Sequence, residues 1–281
     1  MSLSSGPEAR PAEAGRDGQP RGGGGGSQTP LLTIGGVIKR FGAVEALSGV
    51  DLDVPAGQVT ALVGDNGAGK STLIKTISGI WEPDEGELIW DGHPVRIKGP
   101  REAAALGIAT VYQDLALCDN LDIVQNMFLG REPLQMGMLD ENRMELTAKK
   151  TLADLSVTTV RSIRQLVGSL SGGQRQAVAV ARAVMQKARL VIMDEPTAAL
   201  GVSQTKMVLE LIGTLRSRGI AVLVISHNLT DVFAVADRIA VLFLGRMAAT
   251  GPVSAFDTQS AVHAITTGTL GGAPAGQHGG T

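Results

Sequence analysis

A glycine-rich segment between an apolar run and a helix-forming stretch constrains the fold of this chain more than any other feature. The segment reads Gly64-Asp65-Asn66-Gly67-Ala68-Gly69-Lys70-Ser71 and fits the pattern G-x-x-x-x-G-K-S/T. The preceding residues 58–63 predict a strand, and residues 70–78 predict a helix. Glycines let the backbone curl so that successive N–H groups face a phosphate, and the helix start adds a favourable dipole. In this context the segment is typical of a phosphate-binding loop rather than of a turn that merely caps a helix.

Two side chains at the end of this loop have expected chemical roles. Lys70 would reach the β- and γ-phosphates of a nucleotide, and the Ser71 hydroxyl would bind Mg²⁺. The next residue, Thr72, belongs to the same binding segment. The loop therefore predicts a chain that binds a nucleotide together with Mg²⁺.

Short apolar runs alternate with helix-forming stretches along the chain. Four of the runs, at residues 108–112, 190–193, 221–225 and 239–244, are brief and almost uninterrupted by polar residues, so they predict strands of the buried type; residues 31–41 and 58–63 also look like strands. Strands that alternate with helices indicate an α/β fold with a largely parallel central sheet. The predicted strands are residues 31–41, 58–63, 108–112, 190–193, 221–225 and 239–244, and the predicted helices are residues 70–78, 172–187 and 203–218.

Composition divides the chain into a folded centre and two tails. Residues 1–29 and 271–281 are rich in small residues and cannot bury enough apolar surface to offset the entropy of ordering, so we expect both to be disordered. Residues 30–270 form the predicted domain. Within it, residues 115–167 lack strand-like runs and carry helix formers. This segment predicts a helical subdomain inserted into the α/β core, to which the helix that reaches residue 187 also belongs.

Charge, cysteine content and hydropathy exclude several functional classes. The chain has 25 basic and 27 acidic residues and a net charge of −2, which argues against binding nucleic acid through a general basic field. The single cysteine, Cys118, excludes an internal disulfide framework and is typical of a reducing compartment. No stretch approaches the roughly 18 apolar residues that cross a bilayer. We therefore expect a soluble, cytoplasmic protein that reaches a membrane only through a partner.

A pair of carboxylates at the end of a predicted strand is the second candidate element. Residues 190–193 are apolar, and Asp194 and Glu195 follow directly. In an open α/β sheet, ligands bind at the carboxyl ends of the strands, so both acids should face the phosphate loop. Asp194 is suited to the Mg²⁺ shell, and Glu195 to polarising the water that attacks the phosphate. The pair favours hydrolysis over binding alone; two acids that start a surface loop are the alternative.

A third element, Leu170-Ser171-Gly172-Gly173-Gln174, opens a predicted helix. Ser171 can cap that helix, and the two glycines leave backbone N–H groups exposed, so this is a second helix start suited to an anion. One chain needs only one phosphate loop for its own nucleotide. The second cradle therefore suggests a nucleotide that is held by another chain.

These elements, in this order, resemble those of the ATP-binding subunits of ABC (ATP-binding cassette) transporters. The resemblance covers about residues 31–268 and rests on five motifs in register: the phosphate loop, Gln113, Leu-Ser-Gly-Gly-Gln, Asp194-Glu195 and His227. It implies a P-loop ATPase core with a mainly parallel sheet, N-terminal antiparallel strands and an inserted helical subdomain. It also implies ATP and Mg²⁺ as cofactors, and a sandwich dimer of two such subunits.

The resemblance assigns roles that the residues alone leave open. Phe41 takes the position of the aromatic that stacks on adenine; an aromatic packed in the strand core is the alternative. Gln113 resembles the glutamine that contacts Mg²⁺ and water, and His227 the histidine that contacts the γ-phosphate. Both are therefore counted as catalytic, with Lys70 and Glu195. The residues that would grip the ATP of the opposing subunit are Ser171, Gly172, Gly173 and Gln174.

One position departs from the family pattern. After Asp194-Glu195-Pro196-Thr197, many members continue Ser-Ala-Leu-Asp, whereas this chain has Ala198-Ala199-Leu200-Gly201. The carboxylate that helps to couple the two sites of a dimer is thus missing, and no group that contacts phosphate is lost. We expect backbone contacts to take its place.

Residues 107–115 (GIATVYQDL) and 126–132 (NMFLGRE) resemble the monosaccharide importers of the family. This implies uptake of ribose, xylose, fructose or a similar sugar. Two copies of the chain would lie beneath a membrane-spanning permease at the cytoplasmic face of the membrane, and an extracytoplasmic sugar-binding protein would deliver the cargo. The alternatives are an ATPase for another cargo, such as an amino acid or a lipid, and a soluble ABC ATPase without a transport role. The short spacing between the phosphate loop and Leu-Ser-Gly-Gly-Gln excludes the DNA-repair members, which carry a long coiled coil there, so nucleic acid is not an expected partner.

Overall fold

A computed structural model describes residues 29–270. The predictions for the two tails, residues 1–29 and 271–281, therefore lie outside the described residues, apart from Thr29. None of the helices in the described part combines the length and the apolar character that a membrane-spanning segment requires.

The larger sheet has six strands and is parallel except at one edge. Its order is β12-β11-β3-β10-β9-β6, and only β12 runs antiparallel to its neighbour. The parallel arrangement was predicted, and it brings the carboxyl ends of five strands to one edge, where α/β proteins bind ligands. The strands are β3 (Val59–Val63), β6 (Ile108–Val111), β9 (Leu190–Asp194), β10 (Ala221–Ile225), β11 (Arg238–Phe243) and β12 (Arg246–Pro252).

The smaller sheet is antiparallel and has four strands in the order β2-β1-β4-β5. The family resemblance predicts antiparallel strands at the N-terminus, and the structure has them. Two of the four strands, however, come after the first helix, and neither shows a clear apolar alternation in the sequence. The strands are β1 (Leu32–Phe41), β2 (Val44–Val54), β4 (Glu85–Trp90) and β5 (His93–Val95).

The helices lie between the strands, as the alternating pattern predicts. The three predicted helices occur with ends shifted by one or two residues. Two others, α3 and α4, lie in the segment that was predicted to be helical, and α2, α7 and α8 were not predicted. The helices are α1 (Lys70–Ile77), α2 (Pro100–Leu106), α3 (Ile123–Phe128), α4 (Glu141–Asp154), α5 (Gly172–Met185), α6 (Val202–Ser217), α7 (Leu229–Val235) and α8 (Thr258–Thr267).

Alternate side chains of the central strands are buried in two different cores. In β9, Val191 and Met193 pack with α5, α6 and the helices of the 115–167 segment. Leu190 and Ile192 of the same strand pack with α1 and the smaller sheet. A strand covered on both faces reads as a continuous apolar run, and this explains why the sequence located β9 and β10 so closely.

The prediction that residues 115–167 lack strands was wrong in one place. The segment contains α3 and α4, but between them lies a small hairpin of β7 (Leu134–Gln135) and β8 (Met138–Leu139). The turn residues Met136 and Gly137 both have positive φ, 52° and 82°. Two residues per strand are too few to show a period-2 pattern, so the hairpin leaves no signal that a sequence argument could use.

Candidate functional site

The phosphate loop connects β3 to α1, and close backbone contacts require two of its glycines. A Cβ atom on Gly64 would overlap the carbonyl oxygen of Leu242 on β11. Gly69 has φ 106°, and a Cβ there would lie 2.7 Å from the carbonyl oxygen of Ala46. Both positions combine a left-handed backbone with backbone atoms from other strands, so only glycine fits. The loop is thereby held against β2 and β11.

Lys70, the first residue of α1, lies over this loop. Its Nζ donates hydrogen bonds to the carbonyl oxygens of Gly64 at 2.7 Å and Asp65 at 2.9 Å. Burial lowers the pKa of the Lys70 ammonium, while the carboxylates of Glu195, Asp65 and Asp194 oppose that shift. The cation is therefore held at the concave side of the loop, where a phosphate group would neutralise it.

A cavity of about 570 Å³ lies in front of the loop. It brings together residues from the ends of β6 and β9 and from the start of α1, as the carboxyl-end rule predicts. The predicted site residues that line it are Asn66, Gly67, Gly69, Lys70, Ser71, Thr72, Gln113, Asp194 and Glu195. Of the other loop residues, Gly64 and Ala68 are buried beneath it, and the Asp65 carboxylate accepts a hydrogen bond from the N–H of Asn66 at 2.7 Å.

Asp194 ends β9 inside this cavity. Burial raises the pKa of its carboxyl, and the charge of Glu195 raises it further, while Lys70 and Lys75 oppose the shift. A half-buried carboxylate next to a second one gains from a nearby cation. Together with the hydroxyl of Ser71 and the side-chain amide of Gln113, it offers the hard oxygen ligands that Mg²⁺ prefers.

Side chains that could hold a metal ion are few in the described part of the chain. Within residues 29–270, no group of three or more His, Cys, Asp or Glu side chains is arranged to hold a metal ion. Protein sites for Mg²⁺ often supply only one or two carboxylates and rely on the phosphates of a nucleotide for the rest. The residues present therefore fit an ion whose remaining ligands are phosphate oxygens.

Glu195 and His227 are in direct contact. The Oε2 atom of Glu195 lies 2.8 Å from Nδ1 of His227, which itself is 72% exposed. The Glu195 backbone has φ 49°, in the left-handed region, and its N–H donates to the carbonyl oxygen of Ile225 at 2.9 Å. A non-glycine residue in that region stores of order 1–3 kcal/mol, and such strain concentrates at functional sites. The strained turn directs Glu195 away from Asp194 and towards the end of β10.

Phe41 lies on the rim of the site and not in the core. It is 40% exposed, which rules out the alternative of a strand aromatic packed inside. In the β1–β2 pair it faces Val44, and Val44 lines the cavity. Phe41 is thus the strand partner of a residue that lines the cavity.

Ser171 caps α5 through a reciprocal pair of hydrogen bonds. The Ser171 N–H donates to Oε1 of Gln174 at 2.9 Å, and the Gln174 N–H donates to Oγ of Ser171 at 3.4 Å. This capping box was predicted in part, as the serine cap alone. The two glycines pack tightly, since a Cβ on Gly172 would lie 2.6 Å from Leu200 and one on Gly173 3.2 Å from Gln204.

The four residues Ser171, Gly172, Gly173 and Gln174 do not line the cavity of the phosphate loop in their own chain, although all four are described. The structure therefore brings together the phosphate loop, Gln113 and the acidic pair, joins His227 to Glu195, and leaves the second helix start apart. Gly201, which precedes α6, is exposed.

Sequence reasoning missed one wall of the cavity. That wall comes from the turn between β11 and β12 and from the start of β2, and its residues are Val44, Glu45, Ala46, Leu244 and Gly245. Leu244 and Gly245 have φ of 44° and 78° and form the tight turn between the two strands. A Leu-Gly pair between apolar runs is a weak turn signal, and nothing in it indicates a ligand.

A second cavity, of about 340 Å³, lies between α2, β6 and α5, next to the loop that carries Gln113. Tyr112, Leu115, Leu129 and Arg182 are among its lining residues. Burial lowers the pKa of the Arg182 guanidinium, which donates a hydrogen bond to the carbonyl oxygen of Ala116 at 3.3 Å.

Comparison with known proteins finds similar sequences among the ATP-binding proteins of transporters. A family model described as "ABC transporter" matches residues 47–198. The chain is 51% identical over 227 residues to the fructose import ATP-binding protein FrcA of Rhizobium meliloti, covering 78% of this chain and 87% of that protein. It is 50% identical over 217 residues to the xylose/arabinose import ATP-binding protein XylG of Sulfolobus acidocaldarius, covering 77% and 86%.

Other relatives are longer or more distant. The ribose import ATP-binding protein RbsA 2 of Rubrobacter xylanophilus is 43% identical over 240 residues, but the match covers only 46% of that protein against 85% of this chain. Among solved structures, the ADP conformation of MJ1267, an ATP-binding cassette of an ABC transporter, has a TM-score of 0.72 and 27% identity, covering 85% of this chain and 96% of that one.

Proposed function

This chain belongs to the ABC transporter family, and we propose from that premise that it hydrolyses MgATP to drive the import of a monosaccharide through a partner permease. The observation that carries the ATPase part is the convergence of the phosphate loop, Gln113 and the pair Asp194-Glu195 on one cavity. The cargo follows from the relatives, whose names specify fructose, xylose/arabinose and ribose import.

Mg²⁺ would be held by Ser71, Asp194 and Gln113 together with phosphate oxygens. When bound, the ion neutralises charge on the phosphates and helps to hold them in line for attack. Burial disfavours the charge on Asp194, so the ion would relieve an electrostatic cost. The backbone N–H groups of the phosphate loop and the ammonium of Lys70 would hold the β- and γ-phosphates.

Glu195 would accept a proton from the attacking water. Its carboxylate ends at the mouth of the cavity, and the 2.8 Å contact with Nδ1 of His227 fixes one of its oxygens. That contact leaves the other carboxylate oxygen for the water, and it leaves Nε2 of the imidazole for the nucleotide. His227 would then contact the γ-phosphate and orient Glu195, while the loop and Lys70 stabilise the charge that develops on the phosphate.

A second copy of the chain would complete each site. The start of α5 combines a capped helix end with two glycines, which suits an anion, yet it lies apart from the cavity of its own chain. In a face-to-face dimer, Ser171, Gly172, Gly173 and Gln174 of one chain would cover the ATP held by the other.

The permease would dock over the cavity beside Gln113. That cavity combines apolar side chains such as Leu115 and Leu129 with one half-buried cation, Arg182, and it adjoins the loop that links the catalytic sheet to the 115–167 segment. Closure around ATP would then move the docking surface. The assembly would lie at the cytoplasmic face of the membrane, and an extracytoplasmic sugar-binding protein would deliver the cargo to the permease.

Uptake of labelled sugars by cells that lack this chain tests the proposal. We expect the deletion to abolish uptake of a monosaccharide such as fructose, xylose or ribose, and the wild-type chain, but not Glu195→Gln, to restore it. Unchanged uptake of every monosaccharide, with loss of uptake of an amino acid or a lipid, would assign the ATPase to another cargo.

A further inference from the structure

The rim aromatic Phe41 is not free to rotate, because a second aromatic side chain packs against it. The rings of Phe41 and Trp81 have centroids 4.6 Å apart and an interplanar angle of 68°, an edge-to-face arrangement. Such pairs are among the preferred geometries of aromatic side chains. Neither of the two aromatic residues belongs to the phosphate loop or to the acidic pair, so the roles assigned to those motifs give no reason for this contact.

Trp81 is itself fixed to the helix that starts at the phosphate loop. It lies just beyond the end of α1, and its backbone N–H donates to the carbonyl oxygen of Lys75 at 3.2 Å. The ammonium of Lys75 lies 4.7 Å from the centroid of the Trp81 ring, within the range of a cation–π contact. One helix therefore carries Lys70 at its start and holds Trp81 just past its end.

The β1 strand supports Phe41 from the other direction. Lys39 has its Nζ 5.6 Å from the centroid of the Phe41 ring and 2.9 Å from Oδ1 of Asp84. Asp84 also accepts a hydrogen bond from the backbone N–H of Arg40. Contacts within the chain alone thus hold the ring, which is 40% exposed at the end of β1, in one orientation.

We infer that Trp81 is a positioning residue for nucleotide binding: it fixes the ring of Phe41 so that the base can stack on it without a loss of side-chain freedom. Holding a binding group in its bound orientation increases affinity by removing that ordering cost. The inference rests on the proposed function, in which Phe41 stacks on adenine, and assigns Trp81 no contact with the base.

The test compares two ligands in full-length variants by calorimetry. MgADP uses both the phosphate loop and the base platform, whereas inorganic pyrophosphate uses the loop alone. For Trp81→Ala we expect the Kd for MgADP to rise roughly two- to twelvefold, the range that an aromatic pair supplies, and the Kd for pyrophosphate to stay the same. Trp81→Phe retains an aromatic edge and should restore most of the affinity.

A double-mutant cycle with Phe41→Ala separates positioning from direct contact. If Trp81 acts through Phe41, adding Trp81→Ala to Phe41→Ala weakens MgADP binding no further. An equal loss in both backgrounds would show that Trp81 touches the base itself and would overturn the inference. Weaker binding in Phe41→Ala with wild-type binding in Trp81→Ala would overturn it while leaving the proposed function intact. Unchanged MgADP binding in both Phe41→Ala and Trp81→Ala would overturn the inference and also the proposal that adenine stacks on Phe41.

Fluorescence gives a second readout that does not depend on the alanine variants folding. The chain has two tryptophans, and the other, Trp90, is buried at 5% exposure. We expect MgADP, but not pyrophosphate, to change the emission of the wild-type protein, and Trp81→Phe to abolish the change. A response that persists in Trp81→Phe would contradict the link between the base and Trp81.

Discussion

At the residue scale, the cavity holds charges that the folded protein alone does not stabilise well. Burial raises the pKa of the Asp194 carboxyl and lowers the pKa of the Lys70 ammonium, so in each case burial disfavours the charged form. Binding of a metal ion and of phosphates would relieve both effects. We therefore expect Asp194 and Lys70 to lower the free energy of unfolding of the nucleotide-free protein relative to uncharged side chains at these positions.

Asp194→Asn is expected to stabilise the nucleotide-free protein. The folded pKa of Asp194 is raised above its ordinary value of 3.8, because burial disfavours the charged form. The stability that the neutral carboxyl contributes is therefore fully present below pH 3.8 and is lost as the pH rises through the folded pKa. Thermal unfolding in EDTA should give a higher Tm for the variant at pH 7, and the difference should shrink as the pH falls towards that ordinary value. A wild-type protein that is the more stable at pH 7 would contradict the assignment.

His227→Ala is expected to lower kcat about a hundredfold or more, as loss of a single donor to the charge that develops in the transition state commonly does. Because phosphate binding rests on the loop and Lys70, the affinity for MgATP should change little. His263→Ala is the matched control, since His263 is exposed on α8 and belongs to none of the motifs. Equal turnover in the two variants would show that the contact between His227 and Glu195 has no catalytic role.

The motif residues of the site could be predicted because each lies in a short segment whose chemistry is local. The phosphate loop needs a glycine-rich turn after a strand, and the acids follow an apolar run. The wall formed by Val44 and Leu244 could not be predicted, because the β2 start and the β11–β12 turn meet only in the folded sheet arrangement. The left-handed backbone of Glu195 also has no sequence signal, since such strain is imposed by the surrounding fold.

At the scale of elements, the start of α5 is fitted against the start of α6. Gly172 approaches Leu200 and Gly173 approaches Gln204, and these two partners flank Gly201 and Val202. The two glycines at the start of α5 therefore have a packing role in addition to any role in binding a ligand. The two segments proposed to face the other chain of a dimer are thereby held together within one chain.

Gly172→Ala is expected to destabilise the fold by about 1 kcal/mol, the low end of the cost of overpacking, because the Leu200 side chain must move. A Cβ on Gly201 would meet open space among the described residues, so Gly201→Ala should lie within about 0.5 kcal/mol of wild type. Chemical denaturation measures both. The same free energy of unfolding for the two variants would contradict the packing role of Gly172.

Gly201→Asp restores the carboxylate found in many family members. The exposed position has room for the side chain, so the variant should fold as the wild type does. If backbone contacts couple the two sites of the dimer here, the added charge should strongly inhibit turnover and change the cooperativity of hydrolysis. Turnover and cooperativity like those of the wild type would rule out a specialised interface at this point.

Elements buried on both faces were the easiest to locate from the sequence. The strands β9 and β10 appear as apolar runs with their ends nearly correct, whereas β4 and β5 lie in the smaller sheet with exposed residues and were not predicted. The hairpin at residues 134–139 was also missed, because its conformation is set by the turn rather than by burial. Short and half-exposed elements carry little pattern.

At the scale of the whole molecule, the proposed function divides the binding of one nucleotide between two surfaces. The carboxyl edge of the parallel sheet carries the phosphate loop and the acids, and the start of α5 carries a second cradle that does not line the same cavity. The sequence shows both cradles but not their separation. Family resemblance supplies the partner, and a face-to-face dimer is the arrangement that uses both surfaces at once.

Sedimentation velocity of Glu195→Gln at saturating MgATP tests this central claim most directly. Blocking hydrolysis should trap the closed form, so we expect a species of twice 29.0 kDa that returns to 29.0 kDa without nucleotide. Adding Ser171→Arg, which places a bulky side chain at the start of α5, should keep the protein monomeric while the phosphate loop still binds ATP. A Glu195→Gln protein that stays monomeric with ATP bound, or a dimer that Ser171→Arg leaves intact, would contradict the account.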